Sequence, residues 1–350
     1  MTTTWRVSVL AAAFLIQAGG RGAWQGPMDE TRARVLYVSN DPADHARPDY
    51  DSQIQARLRT EARFADVAAG VLDYRKVSYR SSVGDMDIPA YLFQPQRLRG
   101  VRGHAALVWV HGGVHGRQEE NMWPFIKEAV SRGYVVIAPD YRGSTGYGEA
   151  HYQAIDYGGY EVDDVMSAVE FLATLGHVDP ERLGIIGWSH GGFIALHSVF
   201  RDTTPFKASA AIVPVTNLIF RLSYKGPGYQ RNFATQSRLR GLPFEQREEY
   251  IRRSPIFGVD KLQTPLLVHV ATNDEDVNFV ECQQIVDALI ARKPQLAETK
   301  IYVDPVPGPA SVGHTFSRRV NRETLERDDS PDQIDSWNRT WAFLERHVRP

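Results

Sequence analysis

The chain has 350 residues, of which 43% are hydrophobic and 23% charged, whereas a disordered chain would be poorer in apolar residues and richer in charge. Forty basic residues against forty-two acidic leave a net charge of −2, which excludes the basic footprint of a nucleic-acid-binding protein. The one cysteine, Cys282, excludes an internal disulfide framework and a thiolate zinc cluster.

This length suits two ordinary domains or one large α/β domain. Arg6 precedes the apolar run Val7–Ile16, and small residues follow at Ala18, Gly19 and Gly20. A basic start, a short apolar stretch and a small-residue exit predict a secretory leader over residues 1–20, and so export to the periplasm or the extracellular space. The run is too short to cross a bilayer, which takes about 20 apolar residues. Residues 21–70 read as a polar extension, helical over Tyr50–Ala69. From residue 71 to 350 the pattern is that of one domain, whose elements follow.

Tyr74–Tyr79 and Ile88–Phe93 are β-rich runs joined through Gly84 and Asp85, which predicts a hairpin. Ala106–Val110, Tyr134–Ala138, Leu183–Gly187, Ala208–Val213, Leu266–Val270 and Ile301–Val303 read as further strands. Helices are expected over Pro124–Ser131, Asp163–Leu175 and Ser336–His347. Apolar strands alternating with helices imply an α/β fold, with a mostly parallel central sheet covered by helices on both faces. Ligands of such folds sit beyond the C-terminal ends of the strands, so the informative residues should follow each strand.

Gly187-Trp188-Ser189-His190-Gly191 follows the fifth of these runs and opens a helix. G-x-S-x-G between a strand and a helix is a nucleophile elbow, with glycines where side chains would collide and the serine exposed on the turn. The serine needs a base, and the base an orienting acid, in the chain order Ser, acid, His. Asp274 and His314 each follow a late strand in that order. Among Asp274, Glu275 and Asp276, Asp274 is chosen on position and Asp276 is second. His190, His197, His269 and His347 compete for the base, but none lies in a late loop. His111-Gly112-Gly113 follows the strand Ala106–Val110, and such a loop supplies an oxyanion N–H, here from Gly113, beside that of His190. His111 and His115 lie in a glycine-rich loop without H-E-x-x-H, which speaks against a metal site. Gly143-Ser144-Thr145-Gly146-Tyr147-Gly148 does not fit G-x-G-x-x-G, so no dinucleotide cofactor is expected.

Several segments together resemble the catalytic domain of the prolyl oligopeptidase family. They are Pro139-Asp140-Tyr141-Arg142-Gly143-Ser144-Thr145-Gly146-Tyr147-Gly148, the continuation through Gly159, Asp163 and Asp164, the elbow GWSHGG, Ser254-Pro255-Ile256, the strand TPLLVHV with NDEDV, and VGHTF. The likeness covers about Ser78 to His347. It implies an α/β-hydrolase fold and a Ser189–Asp274–His314 triad, with Val277 as the valine of the acid motif. It also implies a substrate pocket walled by Val215, Leu218, Phe220 and Tyr224, with Trp188 contributing, unless these residues are core. The segment HVATNDED and the proline-rich Val303–Ala310 depart from the family pattern, so the loops that carry the acid and the base are expected to differ locally from it.

Many members of that family carry a β-propeller ahead of the hydrolase domain. At about 40–50 residues per blade, fewer than two blades fit between Gly20 and the first strands, so no propeller is expected. The function expected is acyl transfer by a serine peptidase on peptides. A carboxylesterase acting on small esters is the alternative, and a non-catalytic binding module of the same fold is a weaker rival. No cofactor, metal or nucleic-acid partner is expected.

Overall fold

A computed structural model describes residues 47–307 and 313–350. The leader lies outside the described residues, as does the 308–312 part of the proline-rich loop. Eight strands form one sheet in the order β1-β2-β4-β3-β5-β6-β7-β8. They are β1 (Asp73–Arg80), β2 (Asp87–Gln94), β3 (His104–Val110), β4 (Val135–Pro139), β5 (Val178–Trp188), β6 (Ala208–Ile212), β7 (Leu266–Ala271) and β8 (Ala297–Tyr302). The hairpin β1–β2 and the pair β2–β4 are antiparallel. Every pairing from β4 through β3 to β8 is parallel. The expected mostly parallel sheet is therefore present, open at both edges.

Every residue of β3, β4 and β6 is buried, because helices cover both faces of the sheet. On one face Val108, Ile185 and Val268 pack with Phe193, Val165 and Ile285. On the other, Trp109, Trp188 and Ile186 pack with Trp337, Trp341 and Phe125.

The N-terminal helix α1 runs over Tyr50–Ala68, capped by the Asp49 carboxylate on the Ser52 N–H. It is continuous with the catalytic core rather than an appendage. Phe64 is fully buried and meets Tyr91 at 5.6 Å and Phe93 at 5.3 Å edge-on. The Arg57 guanidinium donates to the carbonyl of Gly146 at 2.7 Å, and Thr60 to Glu120 at 2.7 Å.

Two expectations shift. The last strand begins at Ala297, earlier than the apolar run Ile301–Val303. Its sequence AETKIY is half-exposed because β8 is an edge strand paired only with β7, so an apolar search finds only its end. Between β6 and β7 lie short helices with no counterpart in the sequence reading: α2 (Leu218–Tyr224), α3 (Pro227–Ala234) and α4 (Arg247–Arg252).

Candidate active site

Ser189 follows β5 directly and is the N-cap of the helix α5 (His190–Val199), in a strained conformation, φ 55° and ψ −119°. Left-handed φ is costly for a non-glycine residue and persists only where the surroundings enforce it. Close packing enforces it here. A Cβ on Gly187 would overlap the carbonyl of Gly191, and one on Gly191 would strike the Val110 carbonyl and sit 2.6 Å from that of His111. The glycines on either side of the serine let β3, β5 and α5 approach, and the serine then stands at the N-terminus of α5.

Asp274 follows β7 and is buried. Its Oδ1 accepts from the N–H groups of Asp276 and Val277, each at 2.9 Å. Its Oδ2 lies 2.8 Å from Nδ1 of His314. The base loop is pressed against the acid loop, since a Cβ on Gly313 (φ +67°) would lie 2.6 Å from the Asn273 carbonyl carbon. Nε2 of His314 faces Asp276, with Oδ2 at 3.4 Å. Among the described residues Ser189 Oγ has no hydrogen-bond partner; in unliganded hydrolases the serine–imidazole contact is often loose and tightens with substrate. Burial acts to raise the Asp276 carboxyl, but His314, Arg221 and Lys225 outweigh it and bring it to about 2. Lys225 is the closest of these cations, Nζ to Oδ1 2.7 Å.

The glycine loop after β3 reaches over the nucleophile. A Cβ on Gly112 would sit 3.0 Å from the Trp188 carbonyl oxygen and 3.2 Å from the Cβ of Ser189, so the loop backbone is packed tightly against the nucleophile. Gly113 has φ +78°, and its carbonyl accepts from the Tyr141 hydroxyl at 2.9 Å. Its N–H donates to no described residue, and that of His190 opens the first turn of α5, where helical partners are lacking. The run after β4 clamps this loop. The His111 ring stacks on Tyr141 at 4.3 Å and its Nε2 meets Ser144 Oγ at 3.0 Å. Asp140 accepts from the N–H of Gln118 at 2.7 Å. Burial pulls His111 down to about 4, so the ring is a neutral spacer at pH 7. The Pro139–Gly148 hallmark is thus the scaffold of the glycine loop.

The competing histidines are placed elsewhere. His197 Nε2 bonds to the Arg253 carbonyl at 3.1 Å, and His269 Nδ1 to Ser336 Oγ at 2.9 Å. The His190 ring is buried against Glu161 at 3.5 Å. Burial takes it down to about 3 and Glu161 up to about 8, so the pair is neutral at pH 7.

The expected pocket wall needs revision. Trp188 is buried in the opposite core, 5.0 Å from Trp109, and its indole N–H donates to Ser317. At 1% exposure, with its ring also 5.6 Å from Trp337, it belongs to that core rather than to a pocket wall. Val215 and Leu218 are enclosed at 1% and 0% exposure and belong to the core. Phe220 and Tyr224 remain half-exposed on α2, their rings 5.6 Å apart. The Tyr224 hydroxyl is held by Glu281 at 2.5 Å. The sequence reading passed over Arg117 and Arg318, which flank this centre. Their position in the glycine loop and just after His314 is the signal that could have found them.

This fold, with a serine elbow, a histidine–aspartate pair and a glycine loop at the strand ends, defines an α/β-hydrolase. The family model for the prolyl oligopeptidase family matches residues 124–337, and the chain belongs to that family. It is similar to the uncharacterized peptidase YuxL of Bacillus subtilis (strain 168), 30% identical over 75% of this chain and 38% of the relative. It is 28% identical to the acylamino-acid-releasing enzyme of Rattus norvegicus, over 63% of this chain and 30% of that one. The acylaminoacyl peptidase of Pyrococcus horikoshii shares the fold, with TM-score 0.63 and 19% identity, over 82% of this chain and 44% of that one. The chain therefore spans less than half the length of each of these relatives.

Proposed function

We propose that the protein is a serine peptidase working through an acyl-enzyme. Ser189 attacks the scissile carbonyl while His314 takes its proton, and Asp274 holds the imidazole with Nδ1 as donor. The N–H groups of Gly113 and His190 receive the oxyanion. His314 then gives its proton to the leaving amine, and water releases the acyl group by the same route. The observation that carries this reading is the strained Ser189 elbow at the same sheet end as the 2.8 Å His314–Asp274 pair. The peptidase names of the relatives favour amide over ester substrates. Export follows from the leader pattern at Arg6–Gly20 alone, and the N-terminal sequence of the mature protein tests it.

Wild type and Ser189→Ala are compared on peptidyl anilides and on phenyl esters of increasing chain length, with fluorophosphonate labelling in parallel. Anilide turnover and labelling are both expected to vanish in the variant. Ester turnover with silent anilides would replace the peptidase reading with the esterase one, and labelling that persists in Ser189→Ala would remove Ser189 as the nucleophile.

A further inference from the structure

Two arginines flank the catalytic centre without adequate partners. Arg318 lies on the turn that carries His314, its own N–H bonded to the Thr315 carbonyl at 2.9 Å. Its Nε is buried with no hydrogen-bond partner, and none of the ion pairs within 4 Å among the described residues includes it. The charges that face it are the carboxylates of Glu119, Asp274 and Asp276. Each already has other business. Asp274 accepts from His314 and two backbone N–H groups. Asp276 is paired with Lys225. Glu119 has Arg117 at 3.6 Å.

Arg117, in the glycine loop, is in a similar position. Its Nε is also buried and unpartnered, its side chain is 17% exposed, and Glu119 at 3.6 Å is beyond a good hydrogen bond. A guanidinium offers five donors in a planar fork, and leaving a buried donor unmet is costly. Burial brings Arg318 down to about 10, against the pull of the three carboxylates, so it stays charged at pH 7.

The two side chains come from the two loops that bracket Ser189. Arg117 follows Gly112 and Gly113, which lie over the nucleophile, and Arg318 follows the base. The base protonates the departing amine, so the half of the peptide that leaves first exits on the His314 side. We propose that Arg117 and Arg318 form an anion subsite on the leaving-group side, which binds a carboxylate of the departing peptide in the bidentate manner of arginine. The proposal rests on the peptidase reading. It names one chemistry with two sources: the free C-terminus of a short peptide, or an acidic side chain just after the cleaved bond.

The test uses the full chain and N-acetylated peptide pools of fixed length, ending either in a free acid or in an amide, with products read by mass spectrometry. Wild type is expected to prefer one carboxylate source by about tenfold or more in kcat/KM, as a charge-assisted pair implies. Preference for the acid-ended pool assigns the C-terminus, and preference for Asp or Glu after the cut in the amidated pool assigns the side chain. In Arg318→Gln and in Arg117→Gln that ratio should fall several-fold, while Arg318→Lys retains part of it. A merely structural arginine would lower turnover of all pools together and leave the ratio intact. Fluorophosphonate labelling of each variant shows that its serine centre is assembled. Cleavage without preference for either carboxylate, or a preference that survives both Gln variants, overturns the subsite. Absent labelling or peptide cleavage in wild type would instead overturn the peptidase reading beneath it.

Discussion

Replacing Asp274 by asparagine perturbs the site with almost no change of shape. Its Oδ1 is fixed by two backbone donors, the N–H groups of Asp276 and Val277 at 2.9 Å. An asparagine must keep its carbonyl oxygen toward that pair, because its amide nitrogen can only donate. The NH2 group then points at Nδ1 of His314, where Oδ2 now stands at 2.8 Å. Nδ1 is forced to accept, the ring proton moves to Nε2, and the nitrogen that must take the serine proton is already occupied. The same change in other serine hydrolases lowers kcat by about 10⁴-fold, or about 5.5 kcal/mol at about 1.36 kcal/mol per factor of ten. KM should hardly move, since nothing that contacts bound substrate is lost.

Asp274→Asn is assayed by ester and anilide turnover and by the rate of fluorophosphonate labelling, with urea unfolding as the control for folding. Asp276→Asn is the internal comparison. Its carboxylate is 42% exposed, lies 3.4 Å from Nε2 and is engaged by Lys225, so a loss under about tenfold is expected from a screened charge. A folded Asp274→Asn that retains more than a tenth of wild-type kcat would refute the tautomer argument. If Asp276→Asn were the more damaging of the two, the acid role would pass to Asp276.

Two further outcomes follow from buried charge. Arg142 donates to Asp164 through its backbone N–H at 2.9 Å, through Nε at 2.7 Å and through Nη2 at 2.7 Å, with both residues buried. Removing one partner of such a pair costs about 3–5 kcal/mol, so Asp164→Asn should lower the urea midpoint accordingly, and a loss below about 1 kcal/mol would contradict it. Glu161 is raised by burial and then by Asp156, against Gly158 and Arg253, from 4.5 to about 8. The folded state then keeps a proton that the unfolded chain releases, so stability present below pH 4.5 is lost as pH climbs toward 8. Glu161→Gln should flatten that decline in urea midpoints measured from pH 5 to 8. An unchanged slope would show that Glu161 ionises in place without penalty.

What was legible in the sequence was what repeats a rule of the backbone. β3, β7 and the second half of β5, Leu183–Trp188, are buried on both faces and read as apolar runs, and the elbow glycines stand out because no side chain fits between β3 and α5. The chain order of Ser189, Asp274 and His314 could be read because the sheet brings its strand ends together. The pocket wall could not be read this way. Trp188 points into a core of tryptophans on the far face because side chains alternate along a strand, and the serine beside it claims the other direction. The segment between β6 and β7 breaks into helices of 7, 8 and 6 residues, too short to show a helical period above background. Arg318 marks the same limit. Its four-residue distance from His314 is plain in the sequence, but its missing partner is a fact of three dimensions. It appears only once Lys225 is seen to take Asp276 and the backbone to take Asp274.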